Sequence, residues 1–131
     1  MVKSYLEYLY KNYRCKLFPP ETEEIFNDYL PTTEYNQLLQ ISNGLICNGI
    51  EIFGCTPIIR SNKGYTLPDT KSITERFMRY NFFKNKIIIG QMPETLIYYN
   101  LQNKTYGLSD RISFYPFQEY ESLISLLKNF L

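Results

Sequence analysis

Ile87-Ile88-Ile89-Gly90, then Thr95-Leu96-Ile97-Tyr98-Tyr99-Asn100-Leu101, then Thr105-Tyr106-Gly107-Leu108 is the run on which the fold turns. The apolar triplet 87–89 has the continuous character of a strand buried on both faces. The second run is rich in β-branched and aromatic residues, which suit a pleated, packed surface. Gln91-Met92-Pro93-Glu94 reads as a turn between the first two runs, and Gln102-Asn103-Lys104 as a turn between the second and third. Two hairpins in succession make an antiparallel meander. Tyr98 and Tyr99 are neighbours in a strand, so their side chains point to opposite faces. One is expected in the core and the other on an outer face.

Working outward, Pro116 precedes Phe117, Tyr120, Leu123, Ile124, Leu127, Phe130 and Leu131, whose spacing predicts a terminal helix. On the other side, Ile73, Phe77, Met78 and Tyr80 predict a helix over about 70–81, with Arg76 and Arg79 on its charged side. Residues 60–70 read as loop, broken by Asn62, Gly64, Pro68 and Asp69. Asn48-Gly49 is a turn signal before a short strand, Ile50-Glu51-Ile52-Phe53, that stops at Gly54. Leu30-Pro31 is a break. Thr32 or Thr33 caps a helix carrying Tyr35, Leu38, Leu39 and Ser42, and Asn43-Gly44 ends it. Pro20 opens a short helix with Glu21, Glu23 and Glu24 in its first turn, where the dipole favours acids. Val2, Tyr5, Leu6, Leu9, Tyr10 and Tyr13 mark one face of an N-terminal helix. Tyr5, Tyr13, Tyr35 and Tyr120 are expected in the core with their hydroxyls at its edge. Helices at both ends of a central antiparallel sheet make this an α+β chain, read as one domain over 1–131.

The chain has 131 residues, enough to remove roughly two-thirds of the unfolded surface from water. Histidine is absent, while tyrosine occurs 13 times and phenylalanine 9 times. Without histidine, Ser-His-Asp and Cys-His catalysis and imidazole metal ligation are excluded. No phosphate-binding or dinucleotide-binding glycine pattern and no metal-ligand spacing occurs, so neither cofactor nor metal is expected. Cys15, Cys47 and Cys55 form an odd set without a CxxC pair, read as reduced structural thiols of a cytoplasmic protein. The N-terminus is too polar for a signal peptide, and nothing approaches the ~20 apolar residues of a membrane span. A membrane partner is therefore not expected.

Net charge is only +1, which gives no global field for nucleic acid. The charge is nonetheless segregated. Residues 17–59 hold Glu21, Glu23, Glu24, Asp28, Glu34 and Glu51 and no Lys or Arg, whereas 60–86 hold seven bases against Asp69 and Glu75. Such patches either satisfy one another or offer an acidic docking face, of Glu21, Glu23, Glu24, Asp28 and Glu34, to a basic protein partner. A Tyr98 or Tyr99 ring on an outer face would add contact area at low entropic cost.

Leu30-Pro31-Thr32-Thr33-Glu34-Tyr35-Asn36-Gln37-Leu38-Leu39 followed by Ile41-Ser42-Asn43-Gly44 resembles the LP-x-x-Y-x-x-[FL]-L … NG signature of the SUKH superfamily, the Smi/Knr-like domains. Asn48 to Gly54 resembles that family's first strand, Ile87 to Gly90 its central strand, and Ile97 to Leu101 the strand after it. Asp110 and the segment from Phe117 resemble its ending. The likeness covers about residues 20–131. Pro31, Tyr35, Asn43, Gly44, Gly49, Gly54, Gly90 and Asp110 are the positions that carry it, and physically they are scaffold. One departure is Gln91-Met92-Pro93-Glu94, where many relatives have small or acidic residues. The resemblance implies a SUKH-like domain without enzymatic activity that binds proteins. It points first to a bacterial immunity protein neutralising a cognate toxin, often a nuclease, by direct contact. The alternative it leaves open is a regulatory or scaffold module for an endogenous protein, like the cell-wall regulators. A monomer is the favoured state.

Overall fold

The structure is a computed structural model and describes residues 2–13, 15–20, 34–60 and 65–131. The short helix expected from Pro20 and the break at Pro31 lie outside the described residues. In chain order the elements are α1 (Val2–Tyr13), β1 (Lys16–Leu17), α2 (Glu34–Ile41), β2 (Leu45–Cys47), β3 (Ile50–Ile52), β4 (Ile58–Arg60), β5 (Tyr65–Leu67) and α3 (Thr70–Phe77). A 3₁₀ turn (Asn81–Phe83), β6 (Lys86–Met92), β7 (Thr95–Asn100), β8 (Thr105–Asp110), β9 (Pro116–Tyr120) and α4 (Leu123–Phe130) follow. The chain is α+β. Seven strands form one antiparallel sheet in the order β1-β2-β3-β6-β7-β8-β9, and β4 and β5 form a separate hairpin.

Both faces of the central strands of the sheet are covered. On one, Leu6 and Leu9 of α1, Leu38 and Leu39 of α2, and Leu126 and Leu127 of α4 pack with Ile87, Ile97, Tyr99, Tyr106 and Leu108. On the other, Ile73 of α3, Leu67 of β5, Phe53 and Phe83 pack with Ile88, Leu96 and Tyr98. Each buried side chain of this size contributes about 1.5–3 kcal/mol relative to exposure. The apolar triplet 87–89 is continuous because both faces are dry.

β6 carries a bulge between Ile88 and Gly90, so its backbone groups there look beyond the ladder for partners. α3 supplies them. The Thr70 hydroxyl donates to the Ile88 carbonyl at 2.6 Å, and the Ile88 N–H donates to the Thr74 hydroxyl at 2.9 Å. Asp69 caps the same helix, accepting from the Ser72 N–H at 2.9 Å.

The meander over residues 86–110 follows the order expected from the sequence; β6 and β8 are longer than expected, and β7 ends one residue sooner, at Asn100. β6 continues through Met92, so the turn is Pro93-Glu94 rather than the four residues 91–94. The largest correction concerns the C-terminus. Pro116–Tyr120 is not helix but β9, with Tyr106 opposite Tyr120 and Gly107 opposite Glu119. The helix begins only at Leu123, because Ser122 caps it by accepting from the Ser125 N–H at 3.0 Å. Residues 60–70 are not all loop, since β5 pairs with β4 there. The 70–81 helix stops at Phe77 and gives way to the 3₁₀ turn. β2 completes a hairpin with β3 through Asn48 (φ 50°) and Gly49 (φ 87°), the left-handed pair of a tight two-residue turn.

The cysteines also differ from expectation. Lys16 pairs with Ile46, which sets Cys15 opposite Cys47 with Cα atoms 4.3 Å apart, and the two are joined as a disulfide. Both are buried, and Cys55 lies outside this bridge.

Candidate functional site

The β8–β9 connection, residues 110–115, is fixed from several directions. The Asp110 carboxylate accepts from the Ile112 N–H (3.0 Å), the Ser113 N–H (2.8 Å) and the Ser113 hydroxyl (3.0 Å). These donors hold its carboxyl below the usual carboxylate range, the Ser113 backbone bond contributing most. The Phe114 N–H donates to the Asp110 carbonyl at 3.0 Å, and the Arg111 N–H reaches the Glu94 carbonyl at 3.1 Å. The Arg111 guanidinium donates to the Gln91 side-chain carbonyl, whose amide in turn donates to Glu51 at 2.6 Å. Phe114 sits at φ 63°, a region bulky residues avoid. Its ring is the reason: it lies 4.9 Å from the rings of both Phe83 and Tyr80, inside the aromatic cluster under α3.

Driving Phe114 inward turns its neighbours outward. Ile112 is 88% exposed, Tyr115 67% and Phe117 56%. Tyr115 and Phe117 touch edge to face at 6.2 Å. A large aliphatic and two aromatic side chains thus stand in water on a pinned turn and on the last strand of the sheet. Exposed apolar groups that are also pre-ordered suit association, because little entropy remains to be lost on binding.

Of the residues singled out from sequence, Glu21, Glu23, Glu24 and Asp28 lie outside the described residues, as does Pro31. Glu34 is described and half-buried. Its carboxylate accepts from the Leu123 N–H at 3.0 Å and the Ile124 N–H at 3.5 Å, closing the first turn of α4. Neither Tyr98 nor Tyr99 offers an outer face, because the central strands are covered on both sides and they are 0% and 8% exposed. Tyr13, expected in the core, is exposed.

Tyr98 lies over Gly107, where a Cβ would fall inside its ring, and its hydroxyl donates to Glu119 at 2.9 Å. Burial, then the Glu119 contact, pushes this phenol well above its ordinary pKa. Burial also acts to raise the Glu119 carboxyl. Bonds from Thr105 (2.5 Å), Asn100 (3.1 Å) and Tyr98 outweigh it and hold the group below its usual range.

Of the motif positions that carry the resemblance, Tyr35, Asn43, Gly44, Gly54 and Gly90 lie at a common buried region, whereas Gly49 is on an exposed turn and Asp110 is on the β8–β9 turn. The Tyr35 hydroxyl donates to the Phe53 carbonyl, and the Tyr35 N–H donates to the Tyr106 hydroxyl at 3.1 Å. Asn43 accepts from the Cys55 N–H at 2.7 Å and donates to the Thr56 hydroxyl at 2.9 Å. Gly44 adopts φ 93° beside the Ile52 carbonyl, and a Cβ on Gly54 would strike Asn43. Gly90 lies against the Glu51 carbonyl, and Gly49 completes the β2–β3 turn. These residues tie α2 to β3 and to the segment after it.

Ile112, Tyr115 and Phe117 were missed by sequence reasoning, which placed Phe117 in a helical stripe. The available signal was local: Asp110 followed three residues later by Ser113 is a turn, and Tyr115-Pro116-Phe117 alternates like an edge strand. Among the described residues no group of three or more His, Cys, Asp or Glu could hold a metal, and no helix is long and apolar enough to cross a membrane. Comparison of the chain with family models, with curated proteins and with solved structures returned no match.

Proposed function

We propose that this chain is a non-enzymatic protein-binding domain that uses the β8–β9 hairpin as its contact surface. The observation that carries the reading is the outward display of Ile112, Tyr115 and Phe117 on a turn locked by Asp110 and Phe114. Aromatic and aliphatic anchors of this kind dominate the energetics of protein interfaces. Within that class the SUKH-like order of motifs favours an immunity protein that neutralises a cognate toxin by occlusion. Occlusion needs no proton shuttle, which accords with a chain lacking histidine. The acidic stretch 21–28 would add long-range attraction for a basic toxin surface. The proposed site of action remains the cytoplasm, although the Cys15–Cys47 disulfide removes the reduced-thiol ground for it; with both residues only 2% exposed, the bridge is shielded from soluble thiols.

The test is co-expression with the product of the neighbouring gene. Rescue from toxicity with co-purification of the two chains is the expected result. A variant carrying Ile112→Ser, Tyr115→Ala and Phe117→Ser should keep its fold and lose both effects. Retention of both by this variant removes the hairpin as the contact surface. Absence of both with the parent chain overturns the immunity reading and leaves a regulatory module for an endogenous protein.

A further inference from the structure

α1 and α4 do not close against each other along their whole length. Between them runs an open groove of about 690 Å³, floored by Ile124 and Leu131 and walled by Tyr5, Tyr8 and Tyr13. Its size is in the range that takes small organic ligands. The walls are ordered. The Tyr5 and Tyr8 rings stack at 6.1 Å and 19°, and Tyr8 meets Tyr13 edge-on at 6.0 Å. A planar aromatic body has flat faces to lie against here.

The lining has one formal charge on its side chains, the Lys128 ammonium, and no carboxylate side chain. Lys128 stands 5.6 Å from the Tyr5 ring centre, at the side of the groove. Ser4 and the tyrosine hydroxyls add donors. Lys11 follows Tyr8 by three residues on α1, one helical turn along the same side. An apolar, ring-walled groove whose lining side chains are one cation, hydroxyls and no carboxylate is complementary to an amphipathic anion.

We infer that the α1–α4 groove binds a small planar aromatic anion, a carboxylate or sulfonate, with its ring against Tyr5 and Tyr8 and its charge on Lys128. No residue of the β8–β9 hairpin lines the groove, so this site stands apart from the proposed protein contact.

The inference can be tested by titrating the full chain with 2-naphthoate and with 2-naphthamide, its neutral counterpart. Calorimetry would be read alongside backbone amide NMR shifts. Naphthoate should bind with Kd on the order of 0.1 mM, shifting amides of α1 and α4, and naphthamide roughly tenfold more weakly. Lys128→Gln and Tyr8→Ala change exposed or half-exposed side chains and should each weaken naphthoate about tenfold. Equal affinity for the two compounds, unchanged affinity in either variant, shifts confined to other elements, or no binding at millimolar concentration would overturn it.

Discussion

The hydroxyl of Tyr98 on β7 reaches the carboxylate of Glu119 on β9 by passing over Gly107 of the strand between them. Three strands are thereby locked in one row, and the row works only if the middle residue has no side chain. Gly107→Ala should cost about 1–3 kcal/mol, since the Tyr98 ring must leave a packed site. Tyr98→Phe should cost about 1–3 kcal/mol through loss of a bond to a charged acceptor. Urea unfolding of both variants at neutral pH measures these values. A neutral Gly107→Ala would mean that the ring has room to move.

The same pair sets the pH limits of stability. Tyr98 has a raised pKa in the fold, so the folded state holds this proton more tightly than the unfolded chain. Its contribution is complete below the ordinary phenol value of 10.0 and declines as pH rises above it. Glu119 has a lowered pKa, so its contribution is present above its ordinary value of 4.5 and is lost as pH falls through the lower folded value. Urea midpoints should therefore drop at both ends. Tyr98→Phe should flatten the alkaline fall and Glu119→Gln the acid fall; unchanged slopes would dissociate the pair from the pH response.

Gly44 and Gly49 separate two reasons for glycine. Both have positive φ, but a Cβ on Gly49 meets nothing within 4 Å, whereas on Gly44 it would lie 2.6 Å from the Ile52 carbonyl oxygen. Gly49→Ala should cost about 1–2 kcal/mol, the penalty of the left-handed conformation alone. Gly44→Ala should cost clearly more, since backbone must also move. Thermal unfolding of the two variants side by side reads the difference, and equal losses would mean that space at Gly44 is not limiting.

Glu34→Gln tests whether this residue belongs to a docking face or to the scaffold. As a ligand of the first N–H groups of α4 it should lose about 0.5–1 kcal/mol of stability. Partner on-rate and its salt dependence should stay as in the parent. Stopped-flow association at two salt concentrations checks the second point, and a slowed, salt-flattened on-rate would return Glu34 to the interface.

Cys15 and Cys47 make a further expectation countable. Thiol titration after denaturation without reductant should find one reactive cysteine, Cys55, and three after reduction. The bridge closes a sequence separation of 32 residues, so its reduction should cost about 3–4 kcal/mol by the chain-entropy account. Three thiols in the unreduced sample would show that the pair is a contact without a bond.

The meander was legible because 87–89 and 95–101 carry a β signal that no helical spacing fits. The stops at Asn43-Gly44 and Asn48-Gly49 were legible because their backbone angles demand such residues. β9 was not. Phe117, Tyr120, Leu123 and Ile124 satisfy a helical period across a boundary that only the Ser122 cap and the pairing of Tyr106 with Tyr120 reveal. The disulfide was hidden for a similar reason, since only strand pairing brings Cys15 to Cys47 across 32 positions. Tyr98 and Tyr99 were divided correctly between two faces, but whether a face is wet depends on α3 and the 3₁₀ turn packing from elsewhere in the chain.

One consequence concerns the free edge of the sheet. Leu108 is opposite Gln118 and Ser109 opposite Pro116, which leaves Phe117 as an extra residue in the last strand. Pro116 has no N–H to give an incoming strand, and the kink at Phe117 twists the rim away from a straight neighbour. The β9 edge is thereby a poor template for an eighth strand, and the sheet is not set to grow from that side.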